Sequence, residues 1–304
     1  MKNLTRERRL TGSKIHQKFV YLYFRTKFIF MKGKNFLIAA SGIYPYVANS
    51  DSARLAYKLA RAISSKGGQT RMFMPRFGTV NERKHQLHEV IRLSGVNIVV
   101  DDEDMPLIIK VASIPKERMQ VYFIDNDELF KRKFIFKDEK DQFFEDNDAR
   151  LVFFTKGVVE TVKKLKWRPD YLIVSDWFAT LLPLYINTYY KNEPLFHGTK
   201  TYVVLSDEML ENPLKPTLKN KLVFDELPEE FIKKLEKADV ESLLKTALDL
   251  SEGVILRTNN LPENIAQYIE EKDLKVLDVS DIDLEENEPE LKKRVFEAFH
   301  EEEK

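Results

Sequence analysis

The run Asn35-Phe-Leu-Ile-Ala-Ala-Ser41, followed by Gly42-Ile-Tyr-Pro-Tyr46, decides the fold. Its unbroken row of apolar residues suits a strand buried on both faces of a parallel sheet, since a half-exposed strand would alternate. Behind the turn, Ser50 or Asp51 offers a capping oxygen to a helix carrying Ala53, Ala56, Leu59, Ala60 and Ile63 at helical spacing. Lys66-Gly67-Gly68 ends that helix, because glycine enters the left-handed turn of a helix exit without a Cβ clash. Thr70-Arg-Met-Phe-Met74 is the next strand, stopped by Pro75. Strand, helix and strand in this order make a βαβ unit, with parallel strands and a right-handed crossover.

Beyond this unit, Glu89–Leu93, Val96–Val100, Leu107–Ala112 and Gln120–Ile124 are short β-rich runs that predict a hairpin insert and a returning strand. A helix over Asp148–Leu165 buries Leu151, Phe154, Val158, Val162 and Leu165. Pro169–Val174 reads as strand, Trp177–Tyr190 as helix and Thr199–Leu205 as strand. The proline-bearing stretch 208–235 reads as an irregular excursion. Helix, strand, helix and strand follow over Val240–Leu250, Gly253–Arg257, Pro262–Glu271 and Lys275–Leu277. The last helix, Glu288–Glu303, carries Leu291, Val295 and Phe299 as one stripe, suited to dock on the sheet or on a partner. The expected class is α/β: a single doubly wound, Rossmann-like parallel sheet with a β-hairpin insert over residues 31–280, then an acidic C-terminal helix in 281–304.

Lys+Arg and Asp+Glu stand at 49 each, so no global field draws the chain to nucleic acid. The ends differ. Residues 1–30 hold eight Lys/Arg against Glu7 alone, and residues 278–304 hold eleven Asp/Glu against four Lys/Arg. Met31 opens the segment directly before the first strand. Residues 1–30 therefore read either as an extension upstream of the true start or as a basic, disordered arm. Cysteine is absent, which excludes disulfide and thiolate chemistry. No apolar run approaches the roughly 20 residues that span a bilayer, so no membrane span and a cytoplasmic location are expected.

The usual site motifs are missing. There is no G-x-G-x-x-G, no G-x-x-x-x-G-K-[ST] and no G-x-S-x-G. His85 and His88, spaced i, i+3 on an expected short helix beside Glu89, read as surface histidines, so no metal site is expected. Asp101-Asp-Glu-Asp104 lacks calcium-loop spacing and reads as a solvated turn.

Several runs carry a resemblance. Met74-Pro-Arg-Phe-Gly78 resembles the "MPRYG" element of bacterial starch and glycogen synthases. Val121-Tyr-Phe-Ile-Asp125, with Phe130 and Arg132, is similar to that family's "VYFID…F.R" segment, and Asp146-Asn147 followed by Arg150 to its "DN..RF" helix start. Trp167-Arg-Pro-Asp-Tyr-Leu-Ile-Val-Ser-Asp-Trp177, with Leu182-Pro183 and Tyr185, tracks "W.PDI.H.HDW…L.P.YL" in order and spacing. The resemblance covers roughly residues 35–275.

It implies the N-terminal half of a GT-B fold and a family reaction that transfers glucose from ADP-glucose to an α-1,4-glucan. No cofactor is implied, and ADP-glucose is the candidate donor. The family's second domain, which holds most of the nucleotide sugar, is expected to lie beyond this stretch. At the family's lysine–glycine–glycine loop this sequence reads Val47-Ala-Asn-Ser-Asp51, the histidine before Asp-Trp is Ser175, and the later His-Asn pair is Ser206-Asp207. An ammonium and open amides for a diphosphate are thereby lost, and Asp51 would repel it. The isolated chain is expected to be inactive, either a glucosyltransferase half that another polypeptide completes or a non-catalytic descendant that binds a glucan, a nucleotide or a protein partner. Candidate substrate-binding residues are Ser41, Tyr46, Asp146, Asn147, Asp176 and Trp177, with Asp146 and Asp176 as helix caps and packing of Trp177 under the sheet as the alternative. Expected partners are an α-glucan or nucleotide sugar, and a second chain or second copy covering the cleft face.

Overall fold

This computed structural model describes residues 31–117, 119–209 and 214–301. The basic extension read over residues 1–30 lies outside the described residues. The opening unit forms as β1 (Asn35–Ala39), α1 (Asp51–Ser65) and β2 (Gln69–Pro75). Ser50 is the N-cap of α1, its Oγ accepting the Ala53 N–H at 3.0 Å. A Cβ at Gly68 would stand 2.5 Å from the Ile63 side chain and 3.2 Å from the Phe36 ring, so α1 closes onto β1 only through glycine.

A short helix α2 (Glu82–His85) leads to β3 (His88–Glu89), β4 (Val96–Val100), β5 (Glu103–Ser113) and β6 (Gln120–Asp125). Then come α3 (Asp127–Phe130), α4 (Asn147–Leu165), β7 (Tyr171–Val174), a single 3-10 turn at Trp177–Ala179 and α5 (Leu181–Asn187). β8 (Lys200–Leu205), α6 (Leu218–Phe224), α7 (Glu229–Lys234), α8 (Val240–Leu248), β9 (Gly253–Leu256), α9 (Glu263–Glu271), β10 (Lys275–Asp278) and α10 (Glu288–Glu301) complete the chain.

The strand order is β10-β9-β8-β7-β1-β2-β6-β5-β3, with β4 also paired to β5. Strands from β10 through β6 run parallel. β5 is antiparallel to β6, and β3 and β4 are antiparallel to β5, which is the expected hairpin insert. Asp101 and Asp102 form the β4–β5 turn, Asp101 with φ 59°. The helices lie on both faces. On one, Phe299 of α10 meets the rings of Phe36, Tyr171 and Tyr202 at 5.0–5.3 Å, and Leu291, Val295 and Phe299 are fully buried. On the other, α4 approaches so closely that a Cβ at Gly157 would stand 2.8 Å from Ile124.

Three local expectations are corrected. The strand read over Glu89–Leu93 is only two residues long, because the chain turns at Val90, whose carbonyl accepts the N–H groups of Leu93 and Ser94. His85 and His88 do not share a helix: Gln86 takes a left-handed conformation (φ 55°), ends α2, and puts His88 in a strand. The stretch read as irregular holds α6 and α7. Leu218 and Leu222 are buried, and Lys221 and Thr217 reach Asp148 of α4 at 3.0 and 2.7 Å.

Candidate functional site

From β1 the chain runs to β2 on one side, and it later returns to β7 on the other. The loops after β1 and β7 therefore diverge, and the carboxyl ends of these two strands bound a crevice, where open α/β sheets hold ligands. Asp176 stands just beyond β7. Its Oδ2 accepts the N–H and the hydroxyl of Ser41 at 2.6 and 2.7 Å, and its Oδ1 accepts the Phe178 N–H at 3.0 Å, capping the 3-10 turn. Only 4% of Asp176 is exposed, and this burial pushes its carboxyl up to about 6 against the bonds from Ser41 and Phe178.

Above this pair lies a cavity of about 580 Å³. One wall is aromatic and apolar: Phe134, Ile135, Phe136 and Phe143 from the loop between α3 and α4, with Trp177 facing them. Trp177 packs on Phe136 (4.7 Å between ring centroids) and edge-on against Phe178 (5.1 Å). The charged lining is Asp138, Glu139, Asp141, Asp176 and Glu208 against Lys137 alone, and Lys137 is itself 3.3 Å from Asp141. Glu208 follows β8 and turns to the start of α1. Its carboxylate accepts the Ser50 hydroxyl at 2.7 Å and the Asp51 N–H at 2.8 Å. The positive end of α1, where a phosphate could bind, is thus occupied by the protein's own carboxylate. Asp51 is turned aside by Arg257, bonded at 2.8 and 3.1 Å.

The six candidate residues separate into two groups. Ser41, Asp176 and Trp177 line the cavity together. Tyr46 lies on the same loop but turns inward onto Phe123 and His85, both at 4.9 Å, and burial raises its hydroxyl to about 12. Asp146 and Asn147 stand behind the wall. Asp146 forms a two-point ion pair with Arg132, and Asn147 is fully buried and donates to the Phe136 carbonyl at 3.0 Å. Asp146 does occupy the N-cap position of α4, yet it makes no capping bond.

Two contributions escaped the sequence reading. Phe134, Phe136 and Phe143 belong to no helix or strand, and aromatic residues concentrated in such a segment were the available signal. Glu208 had none, since it meets Ser50 across 158 residues of chain. The other motif positions have structural roles. Arg76 pairs with Asp125 at 2.9 Å and Asp127 at 2.7 Å, and Lys110 joins Asp125 at 3.0 Å. A Cβ at Gly78 would stand 2.3 Å from the Arg132 carbonyl. The Ser175 hydroxyl is buried and makes no hydrogen bond to the described residues, while Ser206 meets Ser52 at 2.9 Å. Among the described residues no group of three acidic or histidine side chains could hold a metal ion, and no helix is long and apolar enough to cross a membrane.

Comparison with known proteins agrees with this architecture. A family model described as "Starch synthase catalytic domain" matches residues 35–274. Glycogen synthase of Chlorobium phaeovibrioides is 30% identical over 239 residues, 77% of this chain and 48% of that protein. Glycogen synthase of Chlorobium limicola is 33% identical over 211 residues, 68% of this chain and 42% of that one. The chain thus spans less than half the length of these relatives. The catalytic domain of Starch Synthase IV from Arabidopsis thaliana, bound to ADP and acarbose, shares the fold with a TM-score of 0.64 at 14% identity, over 81% of this chain and 51% of that one. With a family match from β1 through α9, this chain belongs to the starch synthase catalytic-domain family.

Proposed function

We propose that this chain binds a neutral α-glucan in the crevice between Ser41, Asp176 and Trp177, and that as an isolated chain it does not transfer glucose from ADP-glucose. The observation that carries this reading is the cavity lining, five carboxylates against one lysine beside an aromatic wall. Sugar rings place C–H faces on aromatic side chains and donate hydroxyls to carboxylates, and both surfaces are present. A diphosphate meets the opposite. Each like charge near 4 Å costs about 1 kcal/mol even at the dielectric of water, and Glu208 already fills the start of α1. Charge developing on a departing ADP would meet a single lysine, Lys137, already engaged by Asp141, among five carboxylates. Membership of the family and the glycogen synthase relatives support the glucan, as does the acarbose bound to the Arabidopsis enzyme.

A second reading has one supporting observation: the Ser41–Asp176 pair and Trp177 remain in place at the switch point. In that reading, another polypeptide completes the cleft and supplies the donor site.

Electrophoresis of the purified chain through glycogen-containing gels, paired with an assay of labelled glucose transfer from ADP-glucose, tests the proposal. Retarded migration without incorporation is the expected result. Unretarded migration, or incorporation by the chain alone, rejects it.

A further inference from the structure

We infer that Arg150 is a positioning residue that holds the aromatic wall of the crevice in its binding shape. The inference rests on the glucan reading above and adds what sets that site's geometry. Arg150 lies in the first turns of α4 and is fully buried, yet no carboxylate lies within ion-pairing distance of it among the described residues. Asp146 attracts it only from beyond ion-pair contact, and a buried cation so incompletely compensated is expensive, so its bonds report what it is kept for. One Nη donates to Asn147 Oδ1 at 2.6 Å and the other to the Ile135 carbonyl at 2.7 Å. Its guanidinium carbon stands 5.4–5.8 Å from the ring centres of Phe77, Phe130, Phe136 and Phe144. Burial lowers it to about 10, so it keeps its charge at neutral pH.

Both bonds act on the loop that walls the cavity. Ile135 is held directly, and Asn147, oriented by Arg150, holds the next carbonyl, that of Phe136. Phe134 and Phe143 are carried on the same loop, which closes at its base through Arg132 and Asp146 and folds back where the Phe144 N–H meets the Phe136 carbonyl at 3.0 Å. A planar fork reaches two acceptors at a fixed angle, whereas an ammonium serves only as a point donor. Arg150→Lys therefore keeps the charge and loses the geometry.

The test compares the full chain with Arg150→Lys and, as a stability control, Leu277→Ala on β10 at the opposite sheet edge. Native-state trypsin cleavage after Lys137 and Lys140 reads loop order, maltoheptaose titration reads the site, and urea unfolding reads global stability. Arg150→Lys is expected to speed cleavage at these lysines and weaken maltoheptaose binding, each by about tenfold or more, as for loss of one charge-assisted hydrogen bond. Leu277→Ala, although it lowers the urea midpoint, is expected to leave both within about twofold. If Arg150→Lys is cleaved and binds as the parent does, or if both variants change the two readouts in proportion to stability, the positioning role is overturned. If the parent itself binds no maltoheptaose, the glucan reading fails, while cleavage still decides whether Arg150 orders the loop.

Discussion

Asp176 and Ser41, 135 residues apart in the chain, are joined by two hydrogen bonds of 2.6 and 2.7 Å that tie the loop after β1 to the loop after β7. This link closes the floor of the crevice at the point where the sheet's connections change direction, and Trp177, the next residue, follows its position.

Replacing Asp176 with Ala leaves the N–H groups of Ser41 and Phe178 without their acceptor. The expected loss is about 2–3 kcal/mol in urea unfolding, with glucan binding abolished. An unchanged midpoint would show that the link does not hold the two loops together.

Asp176 also predicts a pH dependence. Its folded value, about 6, lies above the ordinary aspartate value of 3.8, so the native state takes up this proton first. The associated stability is present below the unfolded value and is lost as pH rises through about 6. Against Asp176→Asn, the parent should lose on the order of 2–3 kcal/mol in relative stability between about pH 4 and pH 6.5. A difference that stays flat, or grows with pH, contradicts this environment for the carboxyl.

Glu208→Gln keeps an acceptor for the Asp51 N–H and removes the charge at the start of α1. ADP affinity, measured by equilibrium dialysis, should rise by about tenfold or more, equivalent to about 1.4 kcal/mol. If the variant excludes ADP as strongly as the parent, Glu208 is not what closes that position.

On the outer face, Lys156 reaches Asp225 and the Val99 carbonyl, and the Tyr185 hydroxyl donates to Asp225 at 2.6 Å, with all three side chains buried. Asp225→Ala strands the ammonium and should cost about 3–5 kcal/mol. Burial already lowers Lys156, and without Asp225 it falls further, so the deficit should shrink as pH rises above neutrality. Equilibrium unfolding at pH 7 and pH 9 checks both statements, and a deficit that deepens at pH 9 would exclude a stranded lysine as its cause.

Much of the sheet could be read in the sequence, because β1, β7 and β8 are short apolar runs and the helix after β1 opens at a clear cap, Ser50. Helices α6 and α7 were hidden. Each is six or seven residues long, too short for a periodic pattern, and α6 is held by contacts to Asp148 that lie some 70 residues away in the chain. The cavity-lining position of Ser41, Asp176 and Trp177 is legible because all three follow strand ends at a switch point. Tyr46 sits on the correct loop, but backbone position does not say which way a ring turns. The sequence offers Asp146 and Asn147 as ligand contacts, or Asp146 as a helix cap; the structure engages them with Arg132, Arg150 and the Phe136 carbonyl, one layer behind the wall. The wall's local signal is the aromatic density of its loop, whereas Glu208 depends on a pairing across 158 residues that no local pattern encodes.

Calorimetric titration of the purified chain with maltoheptaose and, separately, with ADP-glucose, alongside Trp177→Ala, decides whether the crevice takes a neutral glucan. The predicted result is saturable maltoheptaose binding that Trp177→Ala removes, with no heat of binding from ADP-glucose. Saturable ADP-glucose binding by the parent chain, or maltoheptaose binding indifferent to Trp177, would contradict a crevice built for a neutral glucan.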